Sequence, residues 1–120
     1  MSTSKMYIAV LDEFPDHMVP TVVAHAVLGH HQDVKNVTRD EWKGSTPYQE
    51  LYDDWIRNSF KKCVVRVNQK EFGKIAALPN VGLFHENKTL GGKKACAVLV
   101  VGNEIPNVLK FAHLWEPAKF

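Results

Sequence analysis

Five consecutive residues, His85-Glu86-Asn87-Lys88-Thr89, bring together an imidazole, a carboxylate, an amide, an ammonium and a hydroxyl. Such a set has the groups for general acid–base work and for holding an oxyanion. His85 and Glu86 are the titratable groups able to take a proton from water, while a cation such as Lys88 neutralises developing negative charge. Asn87 and Thr89 add donors suited to a ligand. The same composition also describes a solvated hairpin loop, and the sequence leaves both readings open. His25 is a second candidate. It lies at the edge of an apolar helical stripe, beside Val22 and Gly29, where an imidazole can either pack or reach the rim of a cleft.

The remaining chemistry is thinner. Six His invite a metal reading, yet His25 and His30 are five apart on a helix, and the adjacent His30 and His31 diverge by about 100°. No metal or other cofactor is expected. His30, near the middle of the stripe, reads as a buried imidazole bonded to a backbone carbonyl. There is no phosphate-binding Gly-rich loop, Cys-x-x-Cys, His-Glu-x-x-His or Gly-x-Ser-x-Gly, which excludes the easily recognised enzyme classes. Cys63 and Cys96 each fall within an apolar run and read as small buried hydrophobes rather than a disulfide pair.

The elements that must position these groups follow from periodicity and punctuation. Met6–Leu11 is a short apolar run ending at Asp12-Glu13 and Pro15, and reads as a buried strand. From Val19 to His31, the residues Val19, Val22, Val23, Ala26, Val27 and His30 recur at spacings of three and four, which predicts a helix. Residues 32–46 are polar and read as a loop. Thr46-Pro47-Tyr48-Gln49 supplies a capping hydroxyl, an early Pro and a Gln for a second helix to about Asn58. Its face of Tyr48, Leu51, Tyr52 and Trp55 suits either core or subunit contact.

Cys63–Val67 reads as a strand, followed by an Asn68 cap with Glu71 and a helix stopped by Pro79. Val81–His85 and Ala95–Val101 read as two more strands, separated by a polar stretch containing Gly91-Gly92. A terminal helix from Pro106 is predicted by Val108, Leu109, Ala112 and Trp115. The order is β-α-α-β-α-β-β-α. The expected architecture is a single α/β domain over 1–120, with a four-stranded mixed β-sheet flanked by helices. Residues 85–89 then fall at a strand end, where ligands of α/β sheets gather.

Composition agrees. With 120 residues, 45% hydrophobic and 23% charged, the chain matches one globular core. A net charge of +2 permits an RNA partner without requiring one. Lys61, Lys62, Arg66, Lys70 and Lys74, with Lys88, Lys93 and Lys94, would form a positive rim if the second and fourth strands opened on the same side. The first residues carry no apolar secretory core, and no run approaches the roughly 20 residues that span a bilayer, so a cytoplasmic protein without membrane contact is expected.

The first strand, the helix carrying Val22-Val23-Ala24-His25-Ala26, the polar rim and the Ala97–Gly102 strand together resemble the type-2 peptidyl-tRNA hydrolases, above all their uncharacterised bacterial members. The resemblance covers most of the chain as element order. It implies that fold, a tRNA end or other phosphate-bearing ligand in a sheet-edge cleft, metal-independent cleavage of the peptide–tRNA ester, and a homodimer. The family's helix motif, Gly-Lys-x-x-x-Gln-x-x-His-Ala, aligned on His25-Ala26, puts Met18 at its Lys and Val22 at its Gln. Its Asp-x-Gly-x-Thr falls near the rim, with His85 at the Asp when Thr89 is matched, or with Thr89 one residue short when Glu86 is matched to the Asp. On this reading His25, Glu86 and Lys88 are catalytic candidates, and His85, Asn87 and Thr89 hold ligand. The departures leave open a non-catalytic interaction or dimerisation module, using the Tyr48 to Trp55 face and the terminal helix with Trp115.

Overall fold

The computed structural model of the protein describes residues 3–36, 45–85 and 94–116. Its elements in chain order are β1 (Lys5–Leu11), a 3-10 turn (Asp16–Met18), α1 (Val19–Asn36), α2 (Thr46–Asp54), a π turn (Trp55–Ser59), β2 (Lys61–Val67), α3 (Gln69–Ala76), β3 (Gly82–His85), β4 (Lys94–Val101), α4 (Asn107–Lys110) and β5 (His113–Leu114). They form an α/β domain around one mixed five-stranded sheet of order β3-β4-β1-β2-β5. The predicted strands and the first three helices are all present, and β5 is added.

Strand direction fixes where a site can lie. β1 runs parallel to β2 and antiparallel to β4, and β3 is antiparallel to β4. β1, β2 and β3 therefore point the same way, and their carboxyl ends, Leu11, Val67 and His85, share one end of the sheet. The connection from β1 to β2 moves across the sheet in one direction, and that from β2 to β3 moves back in the other. Right-handed crossovers then place α1 and α2 on one face and α3 on the opposite face, in keeping with α1 touching α2 and α3 touching α4. Covered on both sides, β1 and β4 are buried from Met6 to Leu11 and from Ala95 to Val101, as their near-continuous apolar sequences require.

Local signals account for most boundaries. α3 opens on a complete capping box, with Asn68 Oδ1 accepting from Glu71 N–H at 2.8 Å and Glu71 Oε1 accepting from Asn68 N–H at 3.0 Å. α2 is capped by Ser45, whose hydroxyl accepts from Tyr48 N–H at 3.2 Å. The cap is thus one residue earlier than predicted, with Thr46 already helical. α1 continues to Asn36, past the predicted stop at His31, because another turn buries Val34 in the core. The rest of the predicted 32–46 loop, residues 37–44, lies outside the described residues.

The terminal helix departs most from expectation. α4 is a single turn, and the chain then joins the sheet edge: Val65 pairs with Leu114, Arg66 with His113, and Trp115 N–H donates to Val64 O at 2.9 Å. The outer edge of β2 offers unpaired backbone groups, and satisfying them outweighs continuing an amphipathic helix. Cys63 and Cys96 are free thiols, as expected, with Cys96 fully enclosed. No helix among the described residues is long and apolar enough to cross a membrane.

Candidate functional site

α1 lies over the sheet with Val22, Ala26 and His30 buried beneath it. One flank then faces β3 and the other faces the π turn, and the two flanks are built differently.

On the β3 flank, α1 and β3 approach closely through two glycines. A Cβ on Gly29 would meet the Phe84 ring at 2.5 Å, and one on Gly82 would meet His30 Nδ1 at 2.4 Å. His25, one turn before Gly29, is exposed and meets the edge of Phe84 with ring centroids 6.3 Å apart. Phe84 immediately precedes His85, which is exposed at the carboxyl end of β3. The fold therefore carries His25 to the strand that leads into the predicted rim. Glu86, Asn87, Lys88 and Thr89 lie outside the described residues.

His30 is wholly buried, but its partner is a side chain rather than the expected backbone carbonyl. Its Nε2 is 2.8 Å from Tyr48 Oη. β3 begins at Gly82, opposite Val98, so Val100 lies beyond the end of that strand, and its N–H donates to Tyr48 Oη at 2.9 Å instead. The hydroxyl hydrogen can then be directed at Nε2 of His30. Burial, reinforced by His31, lowers the His30 pKa to about 4, so the imidazole is neutral at physiological pH. The face of Tyr48, Tyr52 and Trp55 is core, which corrects the expectation that it could serve as a contact surface.

The second flank is open. Val23, Val27, Leu28 and His31 of α1 face Tyr52, Trp55 and Ile56 of the α2–π-turn segment across an apolar cleft of about 540 Å³, floored by Ile8 and edged by Phe60 and Lys62. Leu28 and Phe60 remain 60% and 57% exposed. The polar groups are few. His31 Nδ1 shares a 3.0 Å hydrogen bond with the Tyr52 hydroxyl, whose pKa burial pushes up to about 12. Lys62 Nζ stands 3.3 Å above the Phe60 ring centre and donates to Phe60 O at 2.7 Å. The sequence pointed to Tyr52 and Trp55 only as a core or contact face and to Lys62 only as part of a charged rim, not to a cleft that joins them to α1. The available signal was Leu28, an apolar residue off the α1 stripe.

A polar hollow of about 840 Å³ at the amino end of β1 is lined in part by Thr3, Ser4, Asp54, Asn58 and Asn103. Its side chains bond one another, with Ser4 Oγ donating to Asp54 at 3.3 Å and Asn58 to Asp54 at 2.8 Å.

The expected positive rim is divided. Lys61 pairs with Lys5 and Lys5 with Val101, so the start of β2 meets the end of β4, whereas Lys94 at the start of β4 lies opposite His85 at the other end. Arg66 is engaged internally: its guanidinium donates to Asp12 O at 3.0 Å, to Phe14 O and to Asp16 Oδ1 at 3.3 Å, pinning the β1–α1 turn. Among the described residues, no group of three or more His, Cys, Asp or Glu is placed to hold a metal ion. A scan against family models finds no match, and a search of curated proteins finds none either.

Proposed function

We propose that this chain is a binding domain built like the type-2 peptidyl-tRNA hydrolases, taking a tRNA end or another phosphate-bearing ligand at the carboxyl end of its sheet. The observation that supports the reading is the exposed His25 ring set against Phe84, one residue before His85, at the end where open α/β sheets bind ligands. Imidazole N–H groups there would donate to phosphate oxygens, joined by Asn87, Lys88 and Thr89. In the hydrolytic form of the proposal, Glu86 or His85 orients water, His25 positions or protonates the leaving oxygen, and Lys88 neutralises charge as it develops.

Binding without hydrolysis is the version better supported. The positions of the family's Lys and Gln are Met18 and Val22 here; Val22 is buried and Met18 packs against the core. Neither offers a polar group to a cleft, and loss of an electrostatic contributor to a transition state removes orders of magnitude in rate. The test is cleavage of a model peptidyl-tRNA by wild type, His25→Ala and the Glu86→Ala, Lys88→Ala pair, with RNA binding measured across salt. Salt-sensitive binding weakened by these substitutions, with background cleavage throughout, is the expected result. Loss of neither binding nor cleavage in the variants would remove the site.

A second reading, an interaction or homodimerisation module, is favoured by Phe111 and Leu114, which are 76% and 63% exposed beside the β5 edge. It predicts a dimer that survives dilution and dissociates in a Phe111→Ala, Leu114→Ser variant.

A further inference from the structure

The cleft across α1 from His25 is walled by the end of a helix, where Phe60 is the left-handed cap. The chain leaves α2 through a π turn, in which Phe60 N–H donates to Trp55 O at 2.6 Å. It then places Phe60 at φ 62°. A left-handed conformation disfavours a non-glycine residue, and π turns and strained bulky residues gather at functional sites. Here the strained residue does not bury its ring. It holds it, more than half exposed, as one wall of the apolar cleft.

The cleft also has an electrical asymmetry. Among the described residues that line it, Lys62 is the one Lys or Arg, and there is no Asp or Glu. The ammonium's partners are the Phe60 ring, the more distant Trp55 ring at 5.5 Å and the Phe60 carbonyl. A volume of about 540 Å³ lies within the roughly 300–1,000 Å³ of small-molecule sites, which combine apolar walls with few polar anchors. Negative charge is the complement of this rim, and an apolar body is the complement of its walls.

We propose that this cleft binds a small amphipathic carboxylate. Its apolar portion lies between Val27 and Leu28 on one side and Ile56 and Phe60 on the other, with its carboxylate hydrogen-bonded to Lys62 Nζ. The hydrogen-bonded His31–Tyr52 pair closes one end above Ile8. The apolar portion is a short acyl chain or a single aryl group.

The probe is octanoate, with octanol and octylamine as the neutral and cationic counterparts, titrated by calorimetry against the whole chain while the Trp55 indole N–H resonance is followed by NMR. Octanoate saturates the site and shifts that resonance. Octanol binds about tenfold more weakly, the difference expected for one charge-assisted hydrogen bond, and octylamine more weakly still. Lys62→Met brings octanoate down to the affinity of octanol and leaves octanol unchanged. Phe60→Gly, which suits the left-handed backbone and so keeps the fold, weakens both. Equal affinity for octanoate and octanol, insensitivity to Lys62→Met, shifts confined to other regions, or no binding by the folded chain would each overturn the proposal. So would a self-association abolished by Phe60→Gly, which would show the cleft to be filled by a second copy.

Discussion

The two flanks of α1 use the same helix for opposite ends. Toward β3, glycines on both elements let backbones approach, and a buried His30–Tyr48 pair seals the amino end of that contact. Toward the π turn, the helix meets rings and aliphatic side chains across an open cleft and leaves Leu28 in solvent. Stability therefore depends on the first flank, and room for a ligand is found along the second. Substitutions should separate the two.

The largest effect is expected from Tyr48→Phe. It strips a partner from Val100 N–H and from His30 Nε2, both buried. At about 1–3 kcal/mol for each group left unsatisfied, a loss of about 4 kcal/mol should appear in urea unfolding. Acid should attack the same flank. The His30 pKa in the fold, about 4, lies below its ordinary 6.5, so between these values the unfolded chain binds the proton and the folded one does not. The stability present at neutral pH is then lost as pH falls through that window, by about 3 kcal/mol from this residue. Unfolding midpoints of wild type and His30→Gln, measured from pH 7 to 4, should converge as the medium acidifies.

Gly82→Ala should cost about 2 kcal/mol, as overpacking does, because the new methyl meets an imidazole already held by Tyr48. Phe60→Gly, on the other flank, should raise stability by about 1 kcal/mol by removing a left-handed Phe. A fall instead would mean that the ring contributes more to packing than its exposure implies. Smallest of all, Leu28→Ser should change stability by less than about 0.5 kcal/mol while weakening octanoate. Comparable losses from Leu28→Ser and Gly82→Ala would erase the distinction between the flanks.

Much of the fold could be read in the sequence because its signals are local. Asn68 with Glu71 spelled a capping box and one formed. The unbroken apolar run at 95–101 required a strand covered on both faces and became β4. What escaped depended on distant partners. Nothing near His113 announces a strand, since β5 exists because β2 has an edge to satisfy. Phe60 sits in a backbone region its side chain disfavours, so no propensity points to it. Of the candidate site, the stripe-edge position of His25 was legible but its exposure and its contact with Phe84 were not, whereas Arg66 was assigned to a charged rim although three oxygens of the β1–α1 turn occupy its guanidinium. Residues 86–89 lie outside the described residues, and their chemistry stands as read from the sequence.

β5 also guards the chain against its neighbours. β2 is seven residues long, and the two-residue strand covers only Val65 and Arg66 along its outer margin, with Trp115 adding one bond to Val64. The stretch that no described residue pairs along that margin begins with Lys61 and Lys62, whose like charges repel an identical ribbon approaching side by side. Cutting the chain after Lys110 would leave that margin open to backbone pairing along its whole length. The shortened protein should then stack into fibrillar assemblies, fastest at high salt, where the lysines no longer hold copies apart.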